Sequence, residues 1–252
     1  MDTLGGLFER DRRSERPVLE DDTGRTFDAH WLRTSAWKAG NFLRHTGVRR
    51  GVTVGISGSG PLPLLAFFGT GLLEGTARFD PPRDGRSIDG LRTLVAPVDE
   101  LDAYDLPPGA QRVGYGGKPT DPGVHHFDAG LWSENPSFPP LEIDPETPLL
   151  TDGSQTYDHT TVLSVARDVV DDWGLETGDR VVVEAPLSDP RTVVAGVVAP
   201  LLVDAVTVLP GPETEYEGAD VLVDETGGAS GERLGVDEGR LHEVSSISLD
   251  LE

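Results

Sequence analysis

The stretch VTVGISGSGPLPLLAFFGTGLLEGTARFDPP, residues 52–82, contains a strand, a helix and a second strand in close succession. VTVGIS (52–57) is a short apolar run rich in β-branched residues, which predicts a buried strand. PLPLLAFFGTGLL (61–73) predicts an apolar helix that ends before Gly75, and TARF (76–79) predicts the second strand. Because the connections are short and the strands nearly all apolar, we expect parallel strands covered by helices on both faces.

The same order of elements occurs twice along the chain. A helix predicted from Asp28 to Gly47 precedes the first module, and a helix from Thr160 to Trp173 precedes the second. The second module then continues with a strand, a helix and a strand, predicted in RVVVEA (180–185), PRTVVAGVVAPLLV (190–203) and AVTVLP (205–210). The pattern therefore predicts an α/β fold with parallel-sheet layers flanked by helices, arranged as two similar lobes.

Three pairs of residues align between the two modules: Gly47 with Gly174, Gly51 with Gly178 and Val54 with Val181. Pro81 and Pro210 are two residues out of register over the whole unit. Any two modules of this kind share such a period, so the match can be generic, and an ancient duplication is one explanation of it. We expect one lobe over residues 1–145, with an irregular connection from 81 to 148, and a second lobe over residues 146–252.

Short apolar pieces lie in and after this connection. RTLVAP (92–97) and QRVGYGG (111–117) are predicted strands of either lobe. ADVLVDE (219–225) and LHEVSSISLDLE (241–252) are predicted strands around a polar, glycine-rich connection.

The composition is strongly acidic. The chain has 44 acidic and 21 basic residues, a formal net charge of -23, and only two lysines, Lys38 and Lys118. Such a charge excess is tolerable where salt shortens the Debye length to about 3 Å, so we expect a protein adapted to a salt-rich cytoplasm. Nucleic acid is not an expected partner because no basic stripe is present.

Simple observations argue against several other classes of protein and of functional site. The chain has no cysteine, which rules out disulfides, thiolate metal sites and cysteine nucleophiles. The start, MDTLGGLFERDRR, has no apolar core of a secretory signal. The most apolar stretch runs over 12 residues, from Thr192 to Val203, whereas a membrane-spanning helix needs about 20. We therefore expect a cytoplasmic protein without a membrane segment.

Residues 16–57 resemble the opening of AMP-binding, adenylate-forming enzymes, the acyl-CoA synthetase superfamily. RPVLEDDTGRTFDAHWLRTSAWKAGNFLRHTGVRRGVTVGIS contains the GRT-plus-aromatic turn and the helix ending in Gly47-Val48 that are typical of this family, with Thr53 in place of its aspartate. LLAFFGTGLLEGTARFDPP (64–82), WGLETGDRVVVEAPL (173–187) and AGVVAPLLVDAVTVLPG (195–211) resemble later family segments, in order and at near-family spacing.

ETPLLTDGSQT (146–156) lies where this family carries its phosphate loop. The six candidate cofactor-binding residues are Thr151, Asp152, Gly153, Ser154, Gln155 and Thr156. A phosphate loop aims several backbone N–H groups at the anion, which requires glycine, and a lysine usually adds charge. This loop has one glycine, no lysine and a carboxylate, so we interpret it as the remnant of a phosphate loop.

The resemblance implies an N-terminal architecture without the phosphate loop, the adenine site and the C-terminal lid with its catalytic lysine. We therefore expect a pseudoenzyme: no catalytic residue, no metal, no cofactor, and action through a ligand, a second protein chain or a homodimer. The alternative is one subunit of a split ATP-dependent adenylating ligase, for which ATP or AMP would be the cofactor. A third possibility is a nucleotide- or metabolite-binding α/β protein unrelated to this family.

Four other candidate sites have simpler explanations. His125-His126 with Asp128 suggests a metal, but neighbouring strand residues face opposite sides. His159 beside Asp158 is better explained by helix capping than by acid–base catalysis. GYGGKPT (114–120) fails as a Walker motif because Pro119 replaces the hydroxyl residue. SGSGP (57–61) lies between a strand and a helix, where phosphate binds in some proteins, but is also ordinary loop chemistry.

Overall fold

The computed structural model describes residues 1–12, 14–137, 142–211, 219–224 and 241–249. The fold is α/β, as predicted, and its strands form two mainly parallel sheets. The strands are β1 (Pro17–Glu20), β2 (Thr26–Asp28), β3 (Thr53–Ile56), β4 (Thr76–Phe79), β5 (Leu91–Pro97), β6 (Gln111–Tyr115), β7 (Val124–His126), β8 (Pro148–Thr151), β9 (Thr156–Asp158), β10 (Arg180–Val183), β11 (Val206–Val208), β12 (Val221–Asp224) and β13 (Leu241–Glu243).

The helices agree closely with the sequence pattern except for α3, which lies within the predicted irregular connection. They are α1 (Ala29–His45), α2 (Pro61–Leu72), α3 (Phe127–Ser133), α4 (His159–Trp173), α5 (Pro190–Val193) and α6 (Ala199–Leu202). The predicted helix over 190–203 is interrupted by a π-helical turn at Val194–Val198. This turn brings the carbonyl oxygen of Gly196 to the buried hydroxyl of Thr207, which donates a 2.8 Å hydrogen bond to it. In the part of the chain that is described, no helix has the length and apolarity needed to cross a membrane.

The two sheets belong to two compact units. The seven-stranded unit comprises residues 3–8 and 33–159 and has the strand order β7-β6-β5-β3-β4-β8-β9. The six-stranded unit comprises the described residues of 1–2, 9–32 and 160–252 and has the order β13-β12-β10-β11-β1-β2. All neighbouring pairs are parallel except β1–β2 and β8–β9.

The contacts divide the chain differently from the predicted lobes 1–145 and 146–252. β1 pairs with β11, so this early hairpin joins the sheet formed by later residues. β8 pairs with β4, so residues 148–158 join the earlier sheet. β5, β6 and β7, within the predicted irregular connection, continue the same earlier sheet. Local sequence pattern does not specify which sheet a strand joins, because strand pairing is decided by distant residues.

The two hairpins have the same register. Pro17 pairs with Asp28 and Leu19 with Phe27, with an irregularity between the two pairs. In the later hairpin Pro148 pairs with Asp158 and Leu150 with Tyr157, with the irregularity at the same place. Each hairpin leads directly into a helix, α1 or α4. The repeat suggested by the aligned glycines therefore extends to the hairpins.

Aromatic and small residues build the core of the seven-stranded unit. Phe67 and Phe68 on α2 and Phe79 on β4 are buried, and the Phe67 and Phe79 rings lie 5.7 Å apart. Gly69 permits close packing of α2 on α1, since a β-carbon there would lie 2.7 Å from the backbone nitrogen of Gly40. Any larger residue at 69 would push the two helices apart.

An ion pair connects β1 to the six-stranded sheet across β11. Arg180 Nη1 lies 2.7 Å from Glu20 Oε2, and Nη2 lies 3.0 Å from Oε1, a bidentate geometry. Their side chains are only 27% and 10% exposed. By register both project from the face that carries Val206 and Val208. The pair therefore closes over an apolar surface.

We expect Glu20→Gln to lower the free energy of unfolding by about 2 kcal/mol, because it replaces the ionised carboxylate that forms a bidentate pair with Arg180 by a neutral amide. Chemical unfolding in molar salt measures this change. The matched control is Asp105→Asn, which breaks the exposed Arg86–Asp105 pair and should change stability by less than about 0.5 kcal/mol. Equal effects of the two substitutions would contradict this role for the Glu20–Arg180 pair.

Candidate functional site

The six residues of the predicted remnant loop form the tip of a β-hairpin. Thr151 ends β8, Thr156 begins β9, and the two residues pair with each other. Residues 152–155 are therefore the connection of an antiparallel hairpin. Gly153 adopts a φ of 92°, which is the left-handed region that glycine enters without steric cost.

Side chains of the loop itself engage its backbone amides. Asp152 Oδ1 accepts hydrogen bonds from the amides of Ser154, at 2.6 Å, and Gln155, at 2.7 Å. The Ser154 hydroxyl donates to the same oxygen at 2.8 Å. The Gly153 amide donates to Thr151 Oγ1 at 3.0 Å. These amides are the groups that a phosphate loop would direct at an anion, and here an internal carboxylate accepts from two of them.

The hydrogen bonds also keep Asp152 ionised. Burial would raise the pKa of Asp152, but the hydrogen bonds from Gln155 and Ser154 together lower it below the usual aspartate value. The negative charge stays in the turn at neutral pH. An incoming phosphate would have to displace this carboxylate from its amides, and the like charges would repel each other.

The turn between β1 and β2 is one residue longer, but it also closes on the carboxylate of its first residue. Asp21 Oδ1 accepts from the amide of Thr23 at 3.0 Å, from its hydroxyl at 2.6 Å and from the amide of Arg25 at 3.1 Å. Gly24 has a positive φ of 76°. The aspartate at the start of each turn therefore serves hairpin closure, a role that needs no ligand. Whether residues 151–156 descend from a phosphate loop stays a prediction.

Arg78 is the cation that sequence reasoning missed at this loop. It lies on β4 beside β8, and a β-carbon added to Gly153 would collide with its guanidinium. Among the described residues Arg78 has no hydrogen bond and no ion pair. Its place in TARF, where polar and apolar residues alternate, was the available signal.

His159 is a buried hydrogen-bond acceptor, and the expectation that it caps a helix is wrong. Its side chain is fully buried, and Nδ1 accepts a 3.1 Å hydrogen bond from the amide of Leu4. Nε2 is buried without a partner among the described residues. Burial lowers the pKa of His159 to about 4, against the smaller opposing effect of Asp158. A neutral imidazole with one nitrogen fixed as an acceptor is poorly placed for acid–base catalysis.

The side chains of His125 and His126 have different polar neighbours. His125 lies 3.1 Å from Gln111 Oε1, whereas His126 lies 3.8 Å from Asp128 Oδ2. Within the described residues, no group of three potential metal-binding side chains is present. Lys118 is exposed in the turn after β6.

The SGSGP loop is part of a polar network at the carboxyl ends of the strands. The Tyr115 hydroxyl donates to the Ser57 carbonyl at 2.8 Å, and the Gly58 amide donates to Asp80 Oδ1 at 3.3 Å. Ser57 Oγ donates to Glu100 at 3.5 Å. Burial raises the pKa of Asp80 and of Tyr115. Two carboxylates beside the loop make this position unfavourable for phosphate.

Comparison with known proteins gives no matching family model and no matching curated protein. Solved structures do match, at less than 25% identity. The nonribosomal peptide synthetase FmoA3 is 20% identical with a TM-score of 0.70, over 88% of this chain and 25% of that one. The anthranilate CoA ligase AuaEII, solved with anthranoyl-AMP, is 19% identical with a TM-score of 0.71, over 84% and 45%.

A third match is the N-terminal subdomain of NpsA from Klebsiella oxytoca, solved in complex with 3-hydroxybenzoyl-AMSN. It is 15% identical with a TM-score of 0.69, over 88% of this chain and 60% of that one. The chain thus spans a quarter to three fifths of these three proteins. It has the fold of the N-terminal part of adenylate-forming enzymes, as the resemblance implied.

We expect Asp152→Ala and Asp21→Ala to lower the free energy of unfolding by similar amounts, about 1 kcal/mol each, because each removes the acceptor that closes a hairpin turn. Urea unfolding measures both. Asp168→Ala, at an exposed position of α4, is the control and should change stability by less than about 0.5 kcal/mol. A neutral or stabilising effect of Asp152→Ala alone would indicate that Asp152 is retained for a purpose other than the turn.

We expect acid to destabilise the protein partly through His159. The unfolded chain binds the proton near pH 6.5, whereas the folded chain binds it near 4, so the free energy of unfolding falls as pH decreases between these values. The full difference corresponds to on the order of 3 kcal/mol. His159→Asn, which retains an acceptor without titrating, should weaken this pH dependence, whereas His30→Gln at an exposed site should not. Unfolding midpoints at pH 7 and pH 5 test this, and identical pH profiles of the wild type and His159→Asn would contradict it.

Proposed function

We propose that this chain is a noncatalytic member of the adenylate-forming superfamily, one that binds a ligand or a partner protein and does not activate an acid with ATP. The fold supports the first part of this proposal. The second part rests on the hairpin at 151–156, where the carboxylate of Asp152 accepts from the amides that would otherwise receive a phosphate.

The energetics of that hairpin favour the noncatalytic proposal. Phosphate binding would require at least two amides to leave a carboxylate that lies 2.6–2.7 Å away and is held ionised. Charge-assisted hydrogen bonds of this kind are about twice as strong as neutral ones. No lysine is present in the loop to offset the repulsion, and the guanidinium of Arg78 packs against Gly153.

We expect ATP with magnesium to produce no binding heat in the micromolar range, because the turn holds its own anion. Titration calorimetry in molar salt, which screens the net charge of -23, measures this. Asp152→Ala is the informative companion variant. Binding by that variant alone would identify Asp152 as the obstacle, whereas micromolar binding by the wild type would refute the noncatalytic proposal.

The second candidate function is one subunit of a split adenylating ligase. It is favoured by the NpsA structure, in which an N-terminal subdomain is solved in complex with 3-hydroxybenzoyl-AMSN. ATP or AMP would then be the cofactor, and the remaining parts of the enzyme would reside on another polypeptide. Acid-dependent pyrophosphate exchange in a reconstituted pair would support this candidate, and its absence with a folded partner would eliminate it.

The partner of the noncatalytic protein is proposed to be a second protein chain or a second copy of this one, in a salt-rich cytoplasm. The acidic composition makes nucleic acid an unsuitable partner. Light scattering across a range of salt concentrations distinguishes a homodimer from a monomer.

A further inference from the structure

Residues Thr3–Phe8 lie in the core of the seven-stranded unit although the chain on both sides of them belongs to the other unit. Leu4–Phe8 forms a 3-10 helix of sequence LGGLF. Leu4, Leu7 and Phe8 have exposures of only 0%, 1% and 2%. Four of the six residues, Leu4, Gly5, Leu7 and Phe8, are therefore buried in this unit.

An apolar groove formed by distant residues receives this segment. The ring of Phe8 packs on that of Phe68 on α2, with centroids 4.9 Å apart. Leu4 covers Gly71, where a β-carbon would lie 2.5 Å from Leu4 Cδ2 and 2.6 Å from Leu149 Cδ1. The absence of a side chain at Gly71 thus provides the space that Leu4 fills.

Two buried polar side chains contact the backbone of the segment. His159 Nδ1 accepts from the amide of Leu4 at 3.1 Å, and Arg33 Nε donates to the carbonyl of Leu7 at 2.8 Å. His159 is fully buried and Arg33 is 1% exposed. His159 thus contacts a backbone N–H of the segment, and Arg33 contacts a backbone C=O three residues later. Together they fix the direction and the register of the bound backbone.

The segment has no backbone ladder to the unit that holds it. Apart from hydrogen bonds within its 3-10 helix, the segment makes one backbone–backbone hydrogen bond in the described part of the chain. This bond runs from the Gly6 amide to the Thr3 carbonyl at 3.1 Å, so it lies within the segment. Its polar attachment to the groove is through side chains. A docked peptide recognised by pockets and a few polar side chains is held in the same way.

We propose that residues 3–8 are a separable ligand of the seven-stranded unit, and that the groove binds the same TLGGLF segment of a second copy when its own segment leaves. Exchange of an identical segment conserves every contact, so it requires no new complementary surface. Leaving the groove empty would leave the buried Nδ1 of His159 without its donor and remove the Leu7 carbonyl from Arg33 Nε, so the open state favours an occupant with the same backbone polarity. This inference does not depend on the fate of the nucleotide site.

The test uses a fluorescent peptide of residues 1–12 and the full chain with Leu4→Ser and Phe8→Ser, which releases the tethered segment. We expect the peptide to bind the released variant at least about tenfold more tightly than the wild type, because in the wild type the tethered segment competes at millimolar effective concentration. Fluorescence anisotropy measures binding. A scrambled peptide is the control, and a folded released variant that binds the peptide no better than the wild type overturns the proposal.

Recognition of backbone polarity is tested on the peptide, so that no protein variant has to fold. Methylation of the peptide nitrogen at Leu4 removes the donor to His159 and should weaken binding at least about tenfold. Methylation at Asp2, outside the segment, should leave affinity unchanged. Equal affinities of the two methylated peptides would overturn the proposed role of His159.

Hydrogen exchange on the wild type decides the question if the released variant does not fold. A separable segment predicts that the Leu4 amide exchanges at least about tenfold faster than the buried amides of α2, through an opening that leaves the rest of the unit closed. Exchange of both at the rate of global unfolding would show that the segment is an inseparable part of the core.

Discussion

The pairing of β1 with β11 is the constraint on which the six-stranded sheet depends. Residues 17–20 lie beside residues 206–208, and the ion pair from Glu20 to Arg180 fixes β1 across the intervening strand. The pairing of β8 with β4 is its counterpart in the other sheet. Each hairpin ends its sheet with a three-residue antiparallel strand, which leaves only a short edge for unwanted pairing. Because these contacts are non-local, neither sheet is complete until residues far apart in sequence have met.

The repeated hairpin explains the chemistry of the candidate site. Asp21 and Asp152 are the first residues of two hairpin turns that differ by one residue in length, and each accepts hydrogen bonds from two backbone amides and one hydroxyl. What resembles a phosphate loop in sequence thus has the same kind of internal closure as a turn elsewhere in the fold. A loop whose donors are satisfied internally is stable without a ligand, and this stability opposes anion binding. The proposed loss of adenylation chemistry follows from that local competition.

Buried polar groups in the seven-stranded unit are used for a segment of the chain itself. Arg33 and His159 lie in an apolar environment, where unsatisfied donors and acceptors are costly. Arg33 donates to the backbone carbonyl of Leu7, and His159 accepts from the backbone amide of Leu4. At the carboxyl ends of the strands, by contrast, Ser57 Oγ donates to Glu100 at 3.5 Å and the Gly58 amide donates to Asp80 at 3.3 Å.

The sequence by itself determined the α/β class, most of the helices, β4 at residues 76–79 and the deficiency of the 151–156 loop in glycine and lysine. These depend on local periodicity, on chain stiffness and on the charges of adjacent residues, all of which can be read within a short window. Tertiary structure decided that β1 joins the later sheet, that β5 to β7 extend the earlier one, and that His159 receives the Leu4 amide. The reason is that these strand partners and buried hydrogen-bond partners lie outside any short window of sequence, and for β1 with β11 and for Leu4 with His159 they lie more than a hundred positions away, so no local pattern encodes their approach.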